Sequence, residues 1–342
     1  MPTLRYLTAG ESHGRCLVAI LEGLPAGLKI DPAAINRDLV SRQQGYGRSG
    51  GMRIEADEVE ILSGIRKGET IGSPLTLMVT SKNPQIDKLP PMTKPQPGHP
   101  DTGVAAGLLK YDRQDGCDIL ERASARETAM RVAVGAVCKL LLKEIAVEIA
   151  GHVVGLGPVQ ANTAEMAFQE IRERSEASEV RCADPDATQK MSATINEAKA
   201  NGDTLGGVFE VVATGLPVGL GSHVQWDRKL DANIARALMS IQAIKGVEFR
   251  QGLEGGMNNG DMLIVRATMS PTSTAIKPPQ AAQEVKAPVE HSDVCALPAA
   301  SIVGEAVVAI ELVAAILDKF GGDSLSELKR NVAGYREACE RL

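Results

Sequence analysis

Two histidines, one aspartate and a set of arginines put the reactive side chains of this sequence where the chain turns. His13 stands in Gly10-Glu-Ser12-His13-Gly14, and His99 in Pro-Gly-His99-Pro-Asp. Imidazole titrates near neutral pH, so a histidine held in a glycine-flanked turn is a candidate proton donor or acceptor. Asp293, in His-Ser-Asp293-Val-Cys, precedes a helical run and reads as a turn residue or helix-start carboxylate. Arg42 and Arg48 flank Gly45-Tyr-Gly47, where glycines let a loop approach an anion closely. Arg122, Arg126 and Arg131 crowd the start of a second helix, the end at which the macrodipole disfavours cations. That placement makes sense if an anion sits there, held by the guanidiniums and by unpaired backbone N–H groups. Ser124 and Glu127 in the same segment form an S-x-x-E capping box, so Ser124 can cap the helix and face a ligand at once. Residues 255–260 (GGMNNG) and 270–274 (SPTST) add backbone and hydroxyl donors of the kind a phosphate or a flavin ring edge uses.

These groups must be positioned by elements that the apolar pattern marks out. Strand-like runs open the chain at 4–8 and 16–24, and others follow at 54–62, 75–80, 205–214 and 262–268. Asp31 caps a helix over 31–40 with Pro32 at its first position. Residues 82–101 are proline-rich and lack periodicity, which predicts a loop. The clearest helix is predicted over 125–149, with an apolar stripe from Ala129 to Ile145. Two surface helices fall within 160–203, a further helix over 231–242, and a long one over 301–319. Gly321-Gly322 stops that helix, and Ser324-x-x-Glu327 opens the last. His152 and His223 lie in strand-like surroundings and read as structural. No linker or repeat divides the chain, so one domain over 1–342, an α+β mixture of helices and antiparallel strands, is expected.

Composition narrows the function classes. The 342 residues are 44% apolar and 23% charged with a net charge of −6, a balance that supports a sizeable core and argues against nucleic acid as partner. The apolar run around 303–317 is broken by Glu305 and Glu311, so no membrane span and no membrane partner are expected, and no secretory signal is read at the start. Six scattered cysteines without a Cys-x-x-Cys pair fit reduced thiols in a cytoplasmic protein. The histidines lack i, i+4 spacing, so no metal is expected. Gly45-x-Gly47-x-x-Gly50 matches a dinucleotide motif in letters, but it follows a charged segment and leads into a strand-like run, the wrong context for a Rossmann turn.

Taken in order, GESHGRCLVAILEGLP (10–25), RQQGYGR (42–48), EILSGIRKGETIGSPL (60–75), PGHPD (97–101), LERASARETAMRVAVGAV (120–137), GLGSHVQWDRKLDA (219–232), LEGGMNNG (253–260) and SDVCALPAASIVGEA (292–306) resemble the chorismate synthase family over nearly the whole chain. The resemblance implies a helical core sandwiched between two antiparallel β-sheets, assembled as a homotetramer. It implies a carbon–oxygen lyase of the shikimate pathway that makes chorismate from 5-enolpyruvylshikimate 3-phosphate by 1,4-anti elimination of phosphate. Reduced FMN is the implied cofactor, without net redox change, with NADPH or a separate flavin reductase supplying the reduced flavin.

Site roles follow from the same likeness. His13 matches the proton donor to the leaving phosphate, His99 the cation near flavin N1, and Asp293 the carboxylate that helps remove the C6 proton. Ser12 and Ser124 match supporting hydroxyls, and Arg42, Arg48 and Arg126 the substrate-binding arginines. Arg122, Ala123, Ser124, Gln242, Ala243, Gly255, Ser270, Pro271, Thr272, Ser273, Thr274 and His291 match cofactor-contacting positions. Three departures stand out: Gln96 and His291 replace arginines of the family pattern, and Ser270 replaces a lysine. A charge-assisted hydrogen bond is worth about 1.5–3 kcal/mol, so two readings stay open: an active lyase, or a weakly active paralogue that binds flavin or a shikimate phosphate.

Overall fold

The computed structural model describes residues 4–47, 57–92, 101–271 and 293–341, with backbone alone over 101–103. The chain opens with β1 (Arg5–Ala9) and β2 (Cys16–Glu22), then α1 (Pro32–Gln43), β3 (Val59–Ser63), the short pair β4 (Ile65–Arg66) and β5 (Glu69–Thr70), and β6 (Leu75–Thr80). Helices α2 (Asp101–Tyr111), α3 (Cys117–Ala123) and α4 (Thr128–Glu144) lead to β7 (Glu148–Leu156) and β8 (Val159–Gln160). Next come α5 (Phe168–Ala177), α6 (Pro185–Asn201), β9 (Gly207–Thr214), α7 (Leu230–Met239) and β10 (Ile244–Gln251). The pair β11 (Leu253–Glu254) and β12 (Met257–Asn258), β13 (Leu263–Met269), α8 (Leu297–Phe320) and α9 (Leu325–Cys339) complete the order.

Two antiparallel sheets enclose a helical layer, as the family likeness implies. One sheet has the order β1-β2-β6-β3, and the other β10-β13-β9-β7-β8. Period-two alternation drives the first: Leu17, Ala19 and Leu21 of β2 and Leu75, Leu77 and Val79 of β6 point inward and are buried. Helix α4 lies against that sheet, while α8 lies against β7 and β9 of the other. Helix α5 covers the outer face of the second sheet through Ile171, Ala150 and Val212.

Helix α8 is 24 residues long and apolar enough to cross a membrane by length and composition, yet 83% of its most apolar window is buried inside the protein. Its two glutamates do not break the apolar run, as the sequence pattern implies; they lie on a helix whose whole first half is interior. Close approach of α8 to α4 depends on Gly135, because a Cβ there would stand 2.4 Å from the Cβ of Ala306 and 2.5 Å from its Cα.

Charge is also buried in this layer. Lys139 of α4 reaches Asp38 of α1 at 2.7 Å and Glu305 of α8 at 2.5 Å. The other Glu305 oxygen accepts the Gly151 N–H at 2.7 Å, and Arg181 donates to the Gly151 carbonyl at 2.7 Å. Burial works against the Lys139 charge, but Glu305 and Asp38 outweigh it and hold the ammonium above the ordinary lysine range. Burial also opposes the Glu305 charge, and Lys139 with Arg181 brings its carboxyl below the usual range.

Several expected boundaries move. The helix predicted over 125–149 begins at Thr128, ends at Glu144, and gives way to β7. Leu141, Ile145 and Ile149 continue a four-residue stripe, but Val147 and Ile149 also fit strand alternation, and Ala146 at φ 56° breaks the helix between them. The helix predicted over 231–242 stops at Met239, because Ala243 adopts φ 64° and turns the chain directly into β10. Neither turn carries a glycine at the left-handed position to announce it. The strand expected over 205–214 is β9, and His223, expected in a strand, instead lies exposed in a bend.

His152 is structural and fully buried on β7, in a row with Glu210 of β9 and Arg266 of β13. Its Nε2 is 3.2 Å from Glu210 but out of hydrogen-bond alignment, whereas Arg266 donates to Glu210 at 2.5 Å. Burial tends to raise the Glu210 carboxyl, yet these two neighbours bring it below the ordinary glutamate range. A carboxylate lowered in the folded state stabilises above its unfolded pKa and loses that contribution as pH falls through the folded value. Stability measured by urea unfolding should therefore drop below about pH 4.5, and the drop should be smaller in Glu210→Gln. Gly135→Ala should lower stability by about 1–3 kcal/mol, the usual penalty for overpacking a full core, read from the same urea midpoints.

Candidate active site

The turn after β1 is built to bring side chains to the ends of helices. Gly10 takes φ 107°, and a Cβ there would lie 2.4 Å from the Cys16 carbonyl oxygen, so the chain can fold back here only as glycine. The last turn of α3 then grips this turn from outside. The Ser12 N–H donates to the Glu121 carbonyl at 2.9 Å. The Glu121 carboxylate accepts the His13 N–H at 2.7 Å and faces His13 Nδ1 at 2.8 Å. Arg122 donates to the Thr8 and Gly10 carbonyls at 2.8 and 3.0 Å. The His13 carbonyl accepts the N–H groups of Gln85 and Ile86 at 3.0 and 3.1 Å, which ties the start of the proline-rich loop to the same turn.

Ser124 ends α3 and begins a 3₁₀ turn over 125–127. Its hydroxyl accepts the Arg126 N–H at 3.3 Å and donates to Ser12 Oγ at 3.2 Å. The capping box expected from Ser124 and Glu127 is not formed: the serine caps at the second residue, and Glu127 turns to Arg131 at 3.0 Å and to the Gln242 amide at 3.2 Å. Of the three arginines set against the helix dipole, Arg122 and Arg131 hold neighbouring turns, and Arg126 faces inward. Arg126 meets Arg42, from the end of α1, across Asp57: the same Asp57 oxygen accepts from Arg126 at 2.6 Å and from Arg42 at 2.8 Å. All three side chains are buried, with exposures of 9%, 3% and 1% for Arg126, Arg42 and Asp57.

These groups open on a cavity of about 220 Å³. Ser12, Ser124, Arg42, Arg126, Thr128, Gln242 and Asp293 give it a polar side, and Ile241, Met269 and the first turns of α8 give it an apolar one. Asp293 is set by its backbone neighbour: the Val294 N–H donates to Gly47 at 2.9 Å and the Val294 carbonyl accepts from Leu205 at 2.8 Å. The start of α8 adds the positive end of a helix dipole to the two guanidiniums, so the cavity favours an anion.

Six of the residues singled out in the sequence thus line one cavity: Ser12, Ser124, Arg42, Arg126, Gln242 and Asp293. His13 is beside Ser12 with its ring half exposed, outside the lining. Ala123 and Arg122 precede Ser124 on α3, and Ala243 follows Gln242, its carbonyl accepting from Ser270 through N–H and Oγ at 2.9 and 3.3 Å. Pro271 ends the described segment there, and Gly255 stands apart at the exposed β11–β12 turn. Arg48, His99, Thr272, Ser273, Thr274 and His291, with Gln96, lie outside the described residues.

Asp57, Glu121, Glu127 and Thr128 were not singled out for this site by sequence reasoning. Glu121 and Glu127 had a visible signal, two carboxylates spaced among the arginines of residues 121–128. Asp57, one of several acids in EADEVE, had none, because its partners come from α1 and from the 3₁₀ turn. Asp57→Ala strips two buried guanidiniums of the carboxylate they share, and should destabilise the protein by about 3–5 kcal/mol, measured as a shift in the urea midpoint.

Comparison with known proteins identifies the family. The family profile described as chorismate synthase matches residues 4–254 and 250–317. The chorismate synthase of Geobacter sulfurreducens is 48% identical over 98% of both chains, and that of Symbiobacterium thermophilum 47% identical over 99% of this chain and 100% of its own. The first alignment spans 390 positions against 342 residues here, so this chain does without internal segments that its relative carries. A crystal structure of chorismate synthase superposes with a TM-score of 0.81 at 39% identity, covering 99% of each chain. With the fold, the order of its motifs and nearly its whole length in common with these proteins, the chain belongs to the chorismate synthase family, the carbon–oxygen lyases that eliminate phosphate to form chorismate.

Proposed function

We propose that the cavity between α3, α8 and the end of α1 is where 5-enolpyruvylshikimate 3-phosphate loses its phosphate by 1,4-anti elimination. The observation that carries this assignment is the convergence of Arg42, Arg126, the Ser12–Ser124 hydroxyl pair and Asp293 on a single cavity. Guanidiniums match phosphate and carboxylate geometry, so Arg42 and Arg126 hold the substrate's anionic groups. His13, at the rim, gives a proton to the departing phosphate oxygen, and Asp293 receives the proton that leaves C6. Arg48 and His99 complete the set by family likeness.

A flavin fits the remaining surface. Gln242 Oε1 is buried without a hydrogen-bond partner among the described residues, beside the apolar wall of Ile241 and Met269, the pairing of one polar handle with a flat apolar face that a ring system needs. By family likeness Gln242, Ala243, Arg122, Ala123, Ser124, the segment 270–274 and His291 would hold it, while Gly255 stands apart from this cavity. Reduced FMN, when bound, lends electron density to the elimination and recovers it, with no net redox change. The apolar side of the cavity keeps water from that exchange.

The same reading makes the chain one domain that works in the cytoplasm as a homotetramer, with a separate flavin reductase or NADPH keeping the flavin reduced. Leu7, Val18, Ile20 and Met78 support a partner copy, since they share the outward face of the four-stranded sheet and Leu7 and Ile20 are exposed.

An anaerobic mixture of the protein, chemically reduced FMN and 5-enolpyruvylshikimate 3-phosphate should yield chorismate. His13→Ala should lower turnover by about 10²-fold or more, the usual worth of a positioned acid, with the circular-dichroism spectrum unchanged. Unaltered turnover would remove His13 from the mechanism, and no chorismate from the folded, FMN-binding parent protein would favour the weakly active paralogue.

A further inference from the structure

We propose that Glu121 is a positioning residue that decides which nitrogen of His13 carries the exchangeable proton. The Glu121 side chain is only 10% exposed, and both of its oxygens are engaged by one residue: Oε2 by the His13 N–H at 2.7 Å, Oε1 by His13 Nδ1 at 2.8 Å. An ionised carboxylate accepts hydrogen bonds and donates none. Nδ1 facing Oε1 must therefore be protonated, whether the ring is neutral or charged. That leaves Nε2, which has no hydrogen-bond partner among the described residues, as the nitrogen that gives up or takes a proton. Turning the ring over would put a C–H where Nδ1 stands and give up the contact with Oε1, while the His13 N–H on the second oxygen keeps the carboxylate in place beside the ring. The Ser12 N–H on the Glu121 carbonyl and the Arg122 contacts to Thr8 and Gly10 make the surrounding turn rigid.

Orienting carboxylates of this kind act through the histidine and leave the chemistry to it; replacing one by its amide keeps the shape and reverses the tautomer. A glutamine at 121 can offer one acceptor and one NH₂. With its oxygen on the His13 N–H, the NH₂ faces the ring, Nδ1 becomes the acceptor and the proton moves to Nε2. A proton given to phosphate leaves Nε2 of the charged ring, whose Nδ1–H needs the acceptor that a glutamine NH₂ no longer offers; this consequence for turnover rests on the proton-donor role given to His13 above, whereas the tautomer itself does not.

The test uses the full-length protein labelled with ¹⁵N-histidine, as parent, Glu121→Gln, His13→Ala and the double variant, His13→Ala identifying the His13 signals. The parent's His13 shifts should report a protonated Nδ1 and a bare Nε2 in the neutral ring, and Glu121→Gln should exchange the two. In the anaerobic assay Glu121→Gln should lower kcat by about 10²-fold or more, with the KM for substrate and the affinity for reduced FMN within about twofold of the parent. In the His13→Ala background the same substitution should change kcat less than about threefold, since residues acting as a unit are not additive. An unchanged tautomer in Glu121→Gln would overturn the proposal, as would a full 10²-fold loss on top of His13→Ala, which marks a clip for the turn and nothing more. Parent-like turnover in His13→Ala would instead overturn the donor role of His13, with the tautomer result standing separately.

Discussion

The half-buried contact of Lys139 with Glu305 and Asp38 is the constraint on which the rest of the architecture depends. It joins α4, α8 and α1, and through the Gly151 N–H it joins them to β7. An ion in a protein interior is costly unless its partners are in place, and losing one partner leaves an uncompensated charge. Sliding α8 by one turn would separate Glu305 from both Lys139 and Gly151, so these polar groups select a single register for the central helices. Apolar contacts alone would not, since Ala, Val and Ile fill α8 from end to end and one turn resembles the next. Gly135 adds the steric half of the same specification, because it sits against Ala306, one residue beyond Glu305.

That register places the site. The first turns of α8 face Arg126 and Ser124, while α1, pinned to α4 through Asp38, brings Arg42 to Asp57 at its far end. The cavity is therefore assembled from element ends: the last turn of α1 and the junction of α3 with its 3₁₀ turn on its polar side, and the start of α8 on its apolar side. Helix ends are where backbone donors and acceptors lack intrahelical partners, so they meet ligands and side chains readily. Asp57 holds two like charges together at the cavity wall before any anion arrives, which reduces the reorganisation that binding would otherwise require.

Of the three positions where the family likeness leads one to expect a cation, the structure describes one, Ser270. Ser270 secures the Ala243 carbonyl at the strained turn beside Gln242. The side chain thus supports the geometry of the cavity wall from behind.

By itself the sequence determined the alternating strands, the capped α1 and α9, the apolar α8 and the family to which the chain belongs. Those properties reside in short windows: an Asp31 cap, a period of two, a motif such as GESHG. The polar residues that line the cavity, Ser12, Ser124, Arg42, Arg126 and Asp293, stand in motifs and were legible for the same reason. Tertiary structure alone decided that α4 stops at Glu144, that Glu127 faces Arg131 rather than caps, and which carboxylates hold His13, Arg42 and Arg126. Asp57 joins residues 15 and 69 positions away, and Glu121 joins one 108 away. A carboxylate's partner across such a span is set by how helices pack, and no local propensity encodes it.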